Sequence, residues 1–175
     1  MRELETPRLR LIPLTGEELC LCRSGRHVME KRLGLEMTVS PLDRETAEAL
    51  EAALEAMISL VEEDPENYLW NTNWEIALRE QNRIIGGLCF HGPPDSEGRV
   101  QLGYIMQEAY RCRGYMTEAL RAVCSWALSI PGVAMVTAET EKDNMPSQRV
   151  LVNIGMMRTR ETGRTYWWAL TSLRQ

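Results

Sequence analysis

Gly103–Leu120 reads GYIMQEAYRCRGYMTEAL, and this stretch decides the fold. Val100–Met106 (VQLGYIM) predicts a strand that ends inside it. Ala119, Leu120, Val123, Ala127 and Leu128 recur at helical spacing, so Met116–Ser129 is predicted to be a helix. Between the two, the loop Gln107–Tyr115 carries Arg111, Arg113 and Gly114. A helix N-terminus presents N–H groups with no intrahelical acceptor and a partial positive charge. A glycine beside it lets a phosphate approach the backbone, and flanking arginines add charge-assisted donors. Strand, glycine loop and helix together predict an anion site. Alone, a glycine before a helix is also the mark of a plain turn.

Upstream, Leu9–Leu14 (LRLIPL) reads as a strand, with Thr15 placed to cap a following helix. Glu17–Leu33 is predicted helical, with weak patterning. From Asp43 a clearer helix places Ala47, Leu50, Leu54, Met57, Ile58 and Val61 on one stripe. Glu45, Glu48, Glu51, Glu55 and Glu62 fall mostly on its solvated side. Asn73–Arg79 alternates and Ile84–Phe90 is continuously apolar, which predicts a hairpin turning at Glu80–Arg83. His91–Arg99 is rich in turn formers.

Downstream, Val133–Thr140 is predicted as a strand, Pro146–Asn153 as a helix, and Met156–Glu161 and Thr165–Leu170 as two strands turning at Gly163. About seven strands and several helices, alternating in the later half, predict an α+β fold with a mixed, mostly antiparallel sheet. A chain of 175 residues is expected to form one domain, 1–175.

The net charge of −5 argues against nucleic acid as a partner. The charge is uneven: residues 1–66 carry −7 and residues 67–175 carry +2. An anionic ligand sits more comfortably on the second part. Five cysteines without paired spacing and two isolated histidines predict reduced thiols and no metal site. The absence of a long apolar run predicts no membrane span, and with no signal-like N-terminus the expected location is the cytoplasm. No GxxxxGK[ST] or GxGxxG pattern points to another nucleotide-binding class.

Asn144 and Ser147 follow the next strand and open the helix through Val152. With them, the chain resembles the GNAT superfamily of N-acetyltransferases, in particular the branch of ribosomal-protein N-terminal acetyltransferases. Arg111-Cys112-Arg113-Gly114-Tyr115-Met116 resembles the family's pyrophosphate loop. Ala138-Glu139-Thr140, Asn144-Met145-Pro146-Ser147, Val150-Leu151 and Gly155 resemble its second coenzyme-A-side motif. LETPRLRLIPL and WEIALREQNRIIGGLCF are similar to its first strand and central hairpin.

The resemblance implies acetyl-CoA as co-substrate and a primary amine, either a protein N-terminus or a small molecule, as acceptor. It implies a strand that splays from its neighbour, so that pantetheine pairs with backbone at Tyr104, Ile105 and Met106. The diphosphate is expected on Arg111, Cys112, Arg113, Gly114, Tyr115 and Met116, with Thr117 next along the helix. Asn144 is expected to bond the pantetheine arm or the strand end. Direct attack in a ternary complex requires two proton transfers. Glu139 is the candidate base and Ser147 the candidate donor to the leaving thiolate. Each has a plainer alternative, a surface carboxylate and a capping serine.

Three positions depart from the family pattern. Leu151 stands where many members carry a tyrosine acid, Leu102 near a glutamate position, and Met116 where glycine or alanine is usual. The Met116 side chain is therefore expected to point into the core. The departures keep open a second reading, a non-catalytic acyl-CoA-binding module of the same fold. A homodimer is among the assemblies left open.

Overall fold

A computed structural model describes residues 3–38 and 44–171, with only the backbone for 44–50. It forms two compact units, Met1–Cys89 and Phe90–Gln175. The strands pair mostly antiparallel, and helices accompany them, so the α+β expectation holds.

In the first unit, β1 (Leu4–Glu5), β2 (Leu9–Pro13), β3 (Asn73–Leu78) and β4 (Arg83–Phe90) pair antiparallel in that order. Among the described residues, β1 raises the strand number from the expected seven or so to eight. Two residues, Leu4 and Glu5 against Leu11 and Arg10, are too few to show a period in sequence. The helix expected over Glu17–Leu33 is two helices, α1 (Gly16–Arg23) and α2 (Arg26–Arg32). Gly25, at φ 125°, breaks it, a backbone angle that side-chain-bearing residues rarely adopt. Thr15 caps α1 in a reciprocal box with Glu18.

The acidic helix is α3 (Arg44–Glu63). Leu54 and Met57 are half-buried and Ile58 and Val61 buried, while Glu51, Glu55 and Glu62 are exposed, as the stripe predicts. Asp43, and the side chains of Ala47, Leu50, Glu45 and Glu48, lie outside the described residues. Ile58 and Val61 pack with Ile12, Leu14, Leu19 and Met29 in this unit's core. A short α4 (Tyr68–Asn71) precedes β3.

Among the described residues, the first unit also buries two carboxylates, Glu30 at 1% and Glu75 at 2% exposure. Arg26 reaches Glu75 at 2.7 Å and Glu30 at 3.7 Å, and the Thr38 N–H donates to Glu30. One guanidinium thus serves two buried carboxylates. Burial pushes the Glu75 carboxyl above the usual carboxylate range despite Arg26 and Asn73.

In the second unit, β5 (Arg99–Met106), β6 (Met135–Glu141), β7 (Met157–Glu161) and β8 (Thr165–Thr171) lie in the order β5-β6-β8-β7. β5 and β6 run parallel and the other pairs antiparallel. α5 (Tyr115–Ser129) and α6 (Met145–Asn153) connect them. α5 buries Met116, Ala119, Leu120, Val123, Cys124 and Ala127. Leu151 of α6 is fully buried. Trp168 is buried and its indole N–H donates to Thr140 Oγ1 at 2.9 Å, whereas Trp167 is half-buried, as strand alternation requires. Among the described residues no helix is long and apolar enough to cross a membrane.

Candidate active site

β5 and β6 pair only from Arg99↔Met135 to Leu102↔Ala138. β6 continues to Glu141 against β8, and β5 continues to Met106, so the two strands diverge beyond Leu102. Among the described residues, the β6-facing backbone of Gly103–Met106 has no strand partner there. Ile105 is 68% exposed, unusual for a large aliphatic residue on a strand.

The chain then makes a short 3-10 turn, Glu108–Tyr110, and enters the arginine–glycine loop. Arg111 Nε donates to the Met106 carbonyl at 3.1 Å, tying the loop to the strand end. Cys112 and Gly114 both have positive φ, 59° and 79°. Gly114 is the N-cap of α5 and supplies no side-chain cap. The first intrahelical bond is Glu118 N–H to Gly114 C=O at 3.0 Å. The N–H groups of Met116 and Thr117 therefore have no intrahelical acceptor. Among the described residues, α1 and α6 by contrast carry side-chain caps, Thr15 and Asn144. The Met116 side chain is 7% exposed, so it packs inward as expected.

α6 forms the opposite wall. Asn144 Oδ1 accepts the Ser147 N–H at 3.2 Å, so Asn144 is a helix cap. The Ser147 carbonyl accepts the Tyr104 hydroxyl at 3.2 Å, which joins β5 to α6. Burial pushes the Tyr104 phenol up to about 12, so it stays a neutral donor.

These elements enclose one cleft of about 510 Å³. Tyr104, Ile105 and Met106 line it from β5, the loop and α5 line it at Arg111, Cys112 and Gly114–Thr117, and Asn144 and Ser147 line it from α6. Of the site residues expected from sequence, Glu139 and Arg113 fall outside this lining. Arg113 is exposed, its guanidinium 5.9 Å from the centre of the Tyr110 ring. Glu139 is exposed and is the first β6 residue beyond the last β5 pair, at the fork. Leu102 and Leu151 are core residues at 2% and 0% exposure, so neither departure from the family pattern presents a hidden polar group.

Sequence reasoning missed Tyr110, Arg149 and Asn153, and named Pro146 and Val150 only as part of a motif; all five also line the cleft. For the four on α6, the i, i+3, i+4 and i+7 spacing from Pro146 was the available signal. Among the described residues, the lining contains Arg111 and Arg149 and no Asp or Glu. The arrangement offers a phosphate unoccupied helix N–H groups, a permissive glycine and two cations, and offers an extended chain an open strand edge.

A family model for the acetyltransferase (GNAT) domain matches residues 8–157. The chain belongs to this family. It is 28% identical over 165 residues to YjdG of Bacillus subtilis strain 168, described as an uncharacterized N-acetyltransferase, covering 94% of this chain and 95% of that one. Among solved structures, the ribosomal-protein-S5-alanine acetyltransferase of Vibrio fischeri superposes with a TM-score of 0.70 at 13% identity, covering 99% of this chain and 98% of the other. RimL, a ribosomal L7/L12 α-N-protein acetyltransferase solved with coenzyme A, gives 0.68 at 14% identity, covering 97% and 98%. At such identities the structural likeness speaks to the fold.

Proposed function

We propose that this chain is an acetyl-CoA-dependent N-acetyltransferase whose acceptor is a primary amine. The observation that carries the reading is the divergence of β5 from β6 beside an α5 N-terminus that has no side-chain cap. A pantetheine arm needs an open strand edge, and a diphosphate needs N–H donors and cations with no carboxylate nearby. The cleft supplies each. The reading includes the ribosomal-protein branch, a protein N-terminus or a small amine as acceptor, and a single cytoplasmic N-acetyltransferase domain; the fold-level likeness to RimL is compatible with it.

In this reading Tyr104–Met106 hold the pantetheine, and Arg111, Cys112 and Gly114–Met116 with Thr117 hold the diphosphate. Acetyl-CoA supplies the activated acyl group, and the amine attacks its thioester carbonyl directly. A backbone N–H near Met106 stabilises the oxyanion, a contribution of about 3–4 kcal/mol where such donors have been removed. Glu139, at the fork, takes the proton from the amine. Ser147, on the cleft wall, protects the departing thiolate by donating to it. Fixed orientation of the two substrates supplies much of the remaining acceleration.

The test is release of free CoA thiol from acetyl-CoA with a panel of small amines and short peptides with free N-termini. Amine-dependent release supports the enzyme. Tight acetyl-CoA binding with no release above hydrolysis leaves the acyl-CoA-binding module instead. Glu139→Gln is expected to depress turnover at neutral pH while CoA affinity stays unchanged. Equal turnover removes Glu139 from the mechanism.

A further inference from the structure

His91 follows β4 and opens the loop to β5. Its N–H donates to the Gln101 carbonyl at 2.9 Å, which fixes the residue beside β5. The imidazole reaches further along that strand. Its Nε2 lies 3.2 Å from the point where a Cβ on Gly103 would stand, so the glycine leaves room for the ring. Gly103 is the first β5 residue beyond the last β6 pair, Leu102↔Ala138. His91 therefore stands at the fork. It is exposed, and among the described residues its imidazole has no hydrogen-bond or ion-pair partner.

Strand alternation decides the side of the fork. The Tyr104 hydroxyl bonds α6, so Gly103 turns to the opposite face with Gln101. Gln101 pairs with Thr137. Glu139 lies two residues beyond Thr137, as Gly103 lies two beyond Gln101, so Gly103 and Glu139 share the face turned away from α6. His91 borders the fork from the β5 side and Glu139 from the β6 side. The cleft lined by Tyr104 and α6 opens on the other face. A coenzyme seated in that cleft leaves the imidazole and the carboxylate toward whatever meets the thioester through the fork.

We infer that His91 is a second proton acceptor in the reaction, the group that takes the first proton from the acceptor's ammonium. The inference rests on the acetyl-transfer reading given above. A primary amine is an ammonium near neutral pH and has no free electron pair for attack. Two protons must leave its nitrogen before the amide is complete. One leaves as the C–N bond forms; it goes to Glu139 in the proposed mechanism and balances the proton that the thiolate takes up once the C–S bond breaks. The other leaves before attack and ends in water as the net proton of the reaction. An exposed imidazole suits that step, because histidine takes up and gives up protons near neutral pH and contact with water lets it pass the proton on.

The experiment is amine-dependent release of CoA thiol by the full chain, wild type against His91→Gln, between about pH 6 and 10. Two acceptors are used: a short peptide with a free N-terminus, whose ammonium has an ordinary pKa of about 8, and a small primary alkylamine, at about 10. His91→Gln is expected to lose on the order of 100-fold in kcat/KM for the alkylamine at pH 7. The loss is expected to shrink as pH rises toward the amine's own pKa, and to be smaller for the peptide, because a free amine needs no first base. CoA affinity in calorimetry is expected to stay unchanged, since the backbone bond to Gln101 survives the substitution. A loss equal at every pH and for both acceptors would make His91 a positioning residue and overturn the inference, and so would no loss. Failure of the acetyl-transfer reading looks different: wild type then releases no thiol with any acceptor, and the inference falls with it.

Discussion

Gly114 adopts φ 79° at the start of α5, where a Cβ is strained whatever space surrounds it. Gly114→Ala is expected to fold, with stability lowered by roughly 1 kcal/mol. For a chain of this size that is a melting shift of about 2–4 °C. Gly114→Glu carries the same strain and adds a carboxylate where the diphosphate is expected. It is expected to abolish CoA binding in calorimetry while melting near the alanine variant. Unchanged CoA affinity in Gly114→Glu would sink the loop assignment. Glu75 makes a different kind of prediction. Its carboxyl is held above the ordinary range, chiefly by burial, so the folded state binds that proton more tightly than the unfolded state. Its contribution to stability is then greatest below the unfolded carboxylate pKa and is lost as pH rises toward the folded value. Glu75→Gln removes that slope. Melting curves between about pH 5 and 8 are expected to show the variant gaining on wild type as pH rises. A variant that loses ground with rising pH would show that Arg26 outweighs burial at this site.

At the scale of elements, α6 shows how one residue holds a structural and a functional reading together. Asn144 Oδ1 caps the helix that carries Ser147, Arg149 and Asn153 into the cleft. Asn144→Ala removes the acceptor and is expected to cost about 1 kcal/mol. Asn144→Asp keeps the acceptor and is expected to melt like wild type. The added charge should nonetheless weaken CoA binding in the same sample. An aspartate variant as unstable as the alanine variant would show that the cap is not what Asn144 contributes. Much of this was legible beforehand where strand, loop and helix are contiguous, as from Val100 to Thr117. There the period changes from 2 to 3.6 across a few residues and marks both ends of the loop. β1 was not legible, because two residues show no period. Nor was the break between α1 and α2, because weak patterning hid what Gly25 does to the backbone. Arg149 and the Tyr104–Ser147 bond depend on how α6 meets β5, and no local spacing encodes that. Strand alternation alone could not show that Glu139 stands at the fork, outside the cleft lining.

Across the whole molecule, the charge distribution makes a prediction that no single residue does. The chain carries −5 overall, yet among the described residues its cleft is lined by two arginines and no carboxylate. Net charge alone would repel a polyanion at long range, so the proposed function requires the local field of Arg111, Arg149 and the α5 N-terminus to attract it. Both arginines are exposed, so salt screens them readily. Between about 0.1 and 1 M ionic strength the Debye length contracts from about 10 to about 3 Å. CoA affinity is therefore expected to fall steadily over that range. S-acetylpantetheine, which lacks the nucleotide and its phosphates, reaches only the Tyr104–Met106 edge in this reading. Its weaker binding is expected to change little with salt. The comparison isolates the electrostatic part of recognition without altering the protein. If the two ligands respond alike, the cations do not read the phosphates, and the open strand edge carries the binding instead.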